Sequence, residues 1–311
     1  MADGTHHSGV LIGESRLRAI LDASPIGVSI SNYYDGKIIY ENESLSKIWG
    51  GPAEGLLGTD SIDYYHDPND IRWVIEQLRQ HHPVTGHEMV VRRIDGSTRW
   101  CEVNMVATWV DEVRVVLTWF KDISEIRKAR EELKHMATHD SLTGLANRMR
   151  FNAFMTEAVA RSRRLNNASS LLYLDLDGFK AVNDTYGHPM GDFLLQELAR
   201  RLTSTVRETD FIARLGGDEF AVVIEALSDR TEPQLVGKKI MDALKMPFKR
   251  DGIEATVGVS IGISFFAPES MDIEVVSQHA DSGMYRAKQG GKGRICVYDP
   301  SLDGSDNPPG A

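Results

Sequence analysis

No segment limits the folds open to this chain more than LLYLDLD, residues 171–177. Leu172, Leu174 and Leu176 alternate with Tyr173, Asp175 and Asp177. An extended strand therefore sets both aspartates on one face, about 7 Å apart at 3.3–3.4 Å per residue. Like charges at the end of an apolar strand repel and resist desolvation unless something cationic compensates them. Taken alone, the strand leaves two readings open: solvent-facing carboxylates or a bound divalent metal. An EF-hand is excluded, because Phe179 stands at the fifth loop position and the glycine comes two residues early.

A second segment, ARLGGDEFAVVI at 213–224, places Gly216, Gly217, Asp218 and Glu219 between apolar flanks. By itself it reads as a hairpin, since glycine enters positive φ without steric cost and alternating apolar residues mark strands. Beside the first strand it brings Asp175, Asp218 and Glu219 into one three-carboxylate cluster of hard oxygen ligands suited to Mg2+ or Mn2+, with phosphates completing the shell. Two metals so held activate an attacking hydroxyl and stabilise a leaving pyrophosphate, which is the logic of nucleotidyl transfer. Glycines without side chains also let a nucleotide lie close to backbone.

The 311 residues suit two domains. A composition 41% hydrophobic and 26% charged is that of a soluble globular protein. A net charge of −10 argues against bulk nucleic-acid binding, which favours a broad basic surface. Cys101 and Cys296 lack metal-ligand spacing and are expected to be reduced, buried thiols. There is no run of about 18 apolar residues for a membrane span, and the start lacks the pattern of a signal peptide. The expected location is cytoplasmic, and a Gly-, Pro-, Ser- and Asp-rich tail over 300–311 is expected to be flexible.

From 14 to 122 the segments are short and strand-like. IGVSISN and KIIYENES flank a turn with Asp35-Gly36. A helix follows over NDIRWVIEQLRQHH, with Ile71, Val74, Ile75 and Leu78 on one face and Asn69 or Asp70 near its cap. Three more strands read as HEMVVRRI, TRWCEVNMVATWV and VRVVLTWFKDI. Together they describe a small α+β module. It resembles a PAS domain through DPNDI, RRIDGSTRW and FKDISEIRKARE. The resemblance chooses no ligand, so the PAS ligand stays unassigned. A haem would need an axial ligand on the helical side, and His66, His81, His82 and His87 are expected in loops or at a helix end. Between the modules, Ile123, Ile126, Leu133 and Met136 or Ala137 form a narrow apolar seam over 123–137. The seam suits either a helix packed on its own domain or, as favoured here, a parallel dimer helix.

Five ordered motifs then identify the second module as resembling the GGDEF, or diguanylate cyclase, family. They are DSLTGLANR at 140–148, LDLDGFKAVNDTYGHPMGD at 174–192, RETD at 207–210, GGDEF at 216–220 and ADSGMYRAKQGGKGR from Ala280. The resemblance covers about 138–299 and implies an α+β fold of palm or adenylyl-cyclase type, a mostly antiparallel sheet with helices around it. It implies that Asp175, the Leu176 carbonyl and Asp218 hold Mg2+ (or Mn2+), with Glu219 as further ligand or base. It implies that Asn183 and Asp192 read the guanine edge, and that Lys288, Lys292 and the amides around Phe179 and Lys180 take the triphosphate. Gly216 and Gly217 would line the nucleotide. Arg207 and Asp210, with Arg214 nearby, would form a product-inhibition site. One departure is Gly293, where the family usually has Asn. The implied reaction is condensation of two GTP into cyclic di-GMP and two pyrophosphates by a homodimer, with product feedback. The alternative is a silent GGDEF domain acting as a GTP or cyclic di-GMP receptor.

Overall fold

A computed structural model describes residues 14–52, 55–266 and 272–300. The tail expected to be flexible lies outside the described residues, apart from Pro300. Contacts divide the chain into two compact units between Glu131 and Glu132.

The first unit begins with α1 (Glu14–Asp22), β1 (Gly27–Asn32), β2 (Ile38–Glu41) and α2 (Glu43–Trp49). A 3-10 turn (Ser61–Tyr64) and α3 (Pro68–Arg79) precede β3 (Val84–Arg92), β4 (Thr98–Val110) and β5 (Val113–Asp122). All neighbouring strands of the sheet, ordered β2-β1-β5-β4-β3, are antiparallel. Two sequence expectations shift here. The segment KIIYENES is strand only to Glu41, because Asn42 accepts the Leu45 N–H and starts α2. The α3 cap is Asp67, whose carboxylate takes the Asn69 N–H one residue before Pro68, a helix-starting position for proline. Ile71, Val74 and Leu78 point inward as expected, against a core that includes Trp49, Met89, Cys101 and Phe120. His87 lies within β3, not in a loop. Burial pushes the Cys101 thiol up to about 12, whereas Cys296 is only partly buried.

The helix α4 (Ser124–Thr138) crosses the division between the units and buries none of its residues. Ile126, Leu133 and Met136 of its apolar seam are exposed.

The second unit runs α5 (Arg148–Leu165), β6 (Ser169–Asp177), α6 (Phe179–Tyr186), α7 (His188–Thr205), β7 (Phe211–Gly216) and β8 (Glu219–Ile224). It continues through α8 (Glu232–Leu244), the ribbon β9 (Phe248–Arg250) and β10 (Ile253–Ala255), β11 (Gly258–Phe266), α9 (Ile273–Gln289) and β12 (Ile295–Val297). Its sheet is ordered β12-β11-β6-β8-β7, antiparallel except for the β11–β12 pair. The central strand β6 is covered on both faces: Leu172, Leu174 and Leu176 join one core cluster, while Leu171 joins the other, with Tyr173 packed against it. Helix α9 comes down on β11 at Gly262, where an added Cβ would sit 2.0 Å from the Ala280 carbonyl oxygen. Only glycine permits that approach.

An ionic clamp ties α7 to the turn after α8. The Arg201 guanidinium donates to the carbonyls of Ala243, Met246 and Pro247 and is held by Glu197 at 3.0 Å. Arg200 first, then Arg201, draw the Glu197 carboxyl down to about 2 against the opposing effect of burial. Its folded pKa is therefore depressed, so the stabilisation is present above the ordinary value of 4.5 and is lost as pH falls toward about 2. Glu197→Gln should lower stability by about 1–2 kcal/mol at neutral pH. Denaturant titrations should show the gap to wild type shrinking progressively below the ordinary glutamate pKa.

Candidate active site

The end of β6 and the β7–β8 hairpin meet as the sequence requires. Asp175 is the cross-strand partner of Glu219, and the Leu176 N–H donates to the Asp218 carbonyl oxygen at 3.4 Å. Gly216 has φ +147° and Gly217 φ +51°, and no heavy atom lies within 4 Å of where their Cβ atoms would be. Glycine is needed there for backbone conformation, and the outer face of the turn stays open. The turn is held from beneath. Arg214 donates to the Gly217 carbonyl at 3.0 and 2.8 Å and to the Asp140 carboxylate at 2.8 Å. Burial raises the Asp140 pKa, but hydrogen bonds from Thr143 and Arg214 outweigh it and keep the carboxyl below its usual range. Arg214 is thus committed to the turn.

The carboxylates do not share one point. Among the described residues, no three His, Cys, Asp or Glu side chains are gathered as a metal site, although Asp218 lies near enough to raise the Asp175 pKa, and both lie near enough to raise that of Glu219. Two of the three take a cationic partner within the chain. Lys288 Nζ sits 2.6 Å from Asp175, and Arg148 lies 3.4 Å from Glu219 while donating to the Leu215 carbonyl. Burial raises the Asp175 pKa, Lys288 opposes it, and Asp218 and Asp177 add to the rise. Glu219 is likewise raised, by burial first, with Arg148 opposing and Asp175, Asp281 and Asp218 reinforcing. Desolvated carboxylates that raise one another fit a hard divalent cation in donor chemistry.

Asp177, expected to stand beside Asp175, is fully engaged in structure. It accepts from Ser260 Oγ at 2.9 and 3.0 Å and from the Gly293 N–H at 3.0 Å. Gly293 has φ +54°, a left-handed conformation that both glycine and asparagine adopt readily. The departure at 293 therefore leaves the loop intact. Lys292, also at positive φ, is exposed beside it.

Helix α6 begins at Gly178, φ +89°, which offers no side-chain cap, so the amides of Phe179 and Lys180 open the helix uncapped. Helix N-termini of this kind suit phosphate oxygens. Asn183 packs on α7 at Gly191, where a Cβ would lie 1.9 Å from Asn183 Oδ1, one residue before exposed Asp192. Arg207 and Asp210 do not pair through their side chains. Asp210 accepts the Arg207 backbone N–H at 3.0 Å, while the Arg207 guanidinium pairs with Glu232 at 2.6 Å.

Two further residues enter the site. Arg148 and Asp281 line, with Glu219 and Tyr173, a cavity of about 240 Å3. Burial raises the Asp281 pKa, with Lys288 opposing. Asp281 lies two helical turns before Lys288, a spacing legible in the sequence; Arg148 ends the DSLTGLANR motif.

Fold and site together define a nucleotide-handling α+β domain preceded by a small sensory-type module. The family model described as "Diguanylate cyclase, GGDEF domain" matches residues 137–294, and the chain belongs to that family. A PAS-fold model matches residues 15–123. A diguanylate cyclase of Vibrio cholerae is 29% identical over 274 residues, covering 86% of this chain and 85% of that protein. The bifunctional diguanylate cyclase/cyclic di-GMP phosphodiesterase MucR of Pseudomonas aeruginosa is 37% identical over 180 residues, 58% of this chain and 26% of its own length. The coiled coil and GGDEF domain of DgcB from Caulobacter crescentus, solved with c-di-GMP, superposes with a TM-score of 0.53 at 28% identity, covering 56% of this chain and 93% of that one. This chain spans 36%, 27% and 26% of the length of three of its curated relatives. Among the described residues, no helix is long and apolar enough to cross a membrane.

Asp175 has a raised folded pKa, so its contribution to stability is present below the ordinary value and is lost as pH rises through the folded one. Asp175→Asn should raise the melting temperature in metal-free buffer at neutral pH by about 2–4 °C. Added Mg2+ should stabilise wild type more than this variant, which thermal melts with and without the ion will compare.

Proposed function

We propose that this chain is a sensor-regulated diguanylate cyclase, with a sensor over 14–122, a signalling helix over 123–137 and a catalytic domain over 138–299, acting in the cytoplasm. The observation that carries the reading is the intact Gly216-Gly217-Asp218-Glu219 turn set against the desolvated Asp175. Asn183 and Asp192 would bind the guanine edge through an amide and an acceptor carboxylate, matching its N1–H, N2 and O6 groups. The α6 amides of Phe179 and Lys180, with Lys288 and Lys292, would hold the triphosphate. Asp175, the Leu176 carbonyl, Asp218 and Glu219 would hold Mg2+ or Mn2+, which supplies charge stabilisation at the α-phosphate and leaving pyrophosphate.

For that, Lys288 has to leave Asp175 for the phosphates, so substrate charge replaces an internal ion pair. Glu219, with its pKa raised by burial, would take the proton from the attacking 3′-hydroxyl. The new O3′–P bond forms as the bond from the α-phosphorus to the bridging oxygen breaks, and pyrophosphate leaves. One domain holds one GTP, so two copies are needed, and the exposed seam of α4 is the surface proposed to pair them. The separation of the carboxylates and the Lys288–Asp175 pair favour one other reading, a silent GTP or cyclic di-GMP receptor.

Turnover of GTP to cyclic di-GMP, followed by chromatography, separates the two. Wild type should turn over, and Asp218→Ala should abolish turnover with equal or higher thermal stability. Tight nucleotide binding without turnover in wild type identifies the receptor.

Product feedback is proposed at Arg207 and Asp210. Glu232 now holds the Arg207 guanidinium and so competes with any incoming phosphate. Arg207→Ala should relieve inhibition by added cyclic di-GMP, and Glu232→Gln should lower the inhibitory concentration severalfold. Equal sensitivity in both variants would show the segment to be a salt bridge only.

A further inference from the structure

Helix α4 ends on a pair of histidines. His135 lies in its last turn, and the His139 N–H donates to the His135 carbonyl at 2.8 Å, so the helical spacing of four continues one residue past Thr138. The two rings stack with centroids 4.1 Å apart and planes 18° from parallel. Residues four apart share a helix face, and two histidines at that spacing are a helical means of holding one transition-metal ion.

Hydrogen bonding fixes the tautomer of His139. Thr138 has one hydroxyl proton, and its Oγ1 donates to the Lys134 carbonyl at 2.7 Å, with the His135 carbonyl at 3.4 Å. The Oγ1 lone pair therefore faces His139 Nδ1 at 3.0 Å, and Nδ1 is the donor. The His135 carbonyl, 3.2 Å from the same Nδ1, is an acceptor too. In the neutral ring Nε2 then carries the free lone pair. Metal-ligating histidines share this arrangement, one ring nitrogen donating to a backbone carbonyl and the other on the ion. The His135 ring is exposed and makes no hydrogen bond among the described residues. In-plane lone pairs of nearly parallel rings do not meet, so chelation turns the His135 ring while His139 stays in place.

We infer that His135 and His139 chelate a divalent transition-metal ion of the class that imidazole prefers, Ni2+, Cu2+ or Zn2+, and not the oxygen-seeking Mg2+. Two imidazoles are all that the protein supplies: among the described residues no third His, Cys, Asp or Glu joins them, and water fills the rest of the shell. The end of a helix also favours a cation through its dipole. The ion would close the last turn of α4 next to a braced loop. Asn147 donates through its side chain to the Ala137 carbonyl and through its backbone to that of Thr138, and Asp140 holds Arg214 beneath the Gly216–Gly217 turn. Chelation there stiffens the helix where it enters the second unit. The site is independent of the cyclase reading, because it is read by metal binding alone.

Calorimetric titration of the full chain with NiCl2, in excess Mg2+ to occupy the carboxylates, tests this. Wild type should show a Ni2+ site that His135→Gln and His139→Gln each weaken at least about tenfold, no less than the loss of an outer hydrogen-bond partner costs a metal site. The other histidines are common to all three chains, so their binding cancels in the comparison. Ni2+ should also raise the melting temperature of wild type more than that of either variant, because it binds the folded helix end. Superposable isotherms and melts in the three chains would reduce the pair to a stacked contact and overturn the proposal. So would a loss confined to one variant, since chelation needs both rings. If His139→Gln fails to fold, His135→Gln carries the test alone, because it replaces an exposed ring that makes no hydrogen bond.

Discussion

The second unit is organised around one constraint, a carboxylate delivered into low-dielectric surroundings at the end of its central strand. Strand β6 lies between β11 and β8 and is covered on both faces. Its end therefore has little water to solvate Asp175, and a cation must come from elsewhere in the chain. Lys288 meets that need because α9 lies hard against β11 at Gly262, so that the helix's last turns reach the mouth of the sheet. The same logic places Arg148 on Glu219 and Arg214 beneath the Gly216–Gly217 turn. The site is thus held by internal ion pairs between separate elements.

That arrangement gives the neighbouring motifs a physical role. DSLTGLANR is a brace: Asp140 and Arg214 fix the turn, and Arg148 fixes the glutamate that follows it. Asp177 and Gly293 fasten the loop that carries Lys292 to the edge of β6. The first unit presents a contrasting case. Its cavity is lined by Ser29, Ser31 and Thr118 together with Trp49, Phe120 and Tyr65, and the charged residues on the described lining, Asp35 and Arg79, are exposed.

Much of this was legible along the chain. Alternation of apolar residues located the β6, β7, β8 and β3–β5 strands, and Gly216-Gly217 located the hairpin between β7 and β8. The α3 cap was displaced, and α2 was read as strand, because Asp67 and Asn42 won the competition for the first free amides, a contest between adjacent polar residues that periodicity does not weigh. Glu232, some two dozen residues from Arg207, had no local mark that it would take that guanidinium.

By itself, the sequence determined which chemical groups exist and which strand or turn carries Asp175, Asp218 and Glu219, because periodicity and glycine conformation are local properties. Only the tertiary structure decided the pairing of charges. Asp175 with Lys288, Glu219 with Arg148 and Arg207 with Glu232 join residues from separate elements. Which opposite charge reaches a desolvated group depends on where helices pack on the sheet, and that is set by the whole core at once.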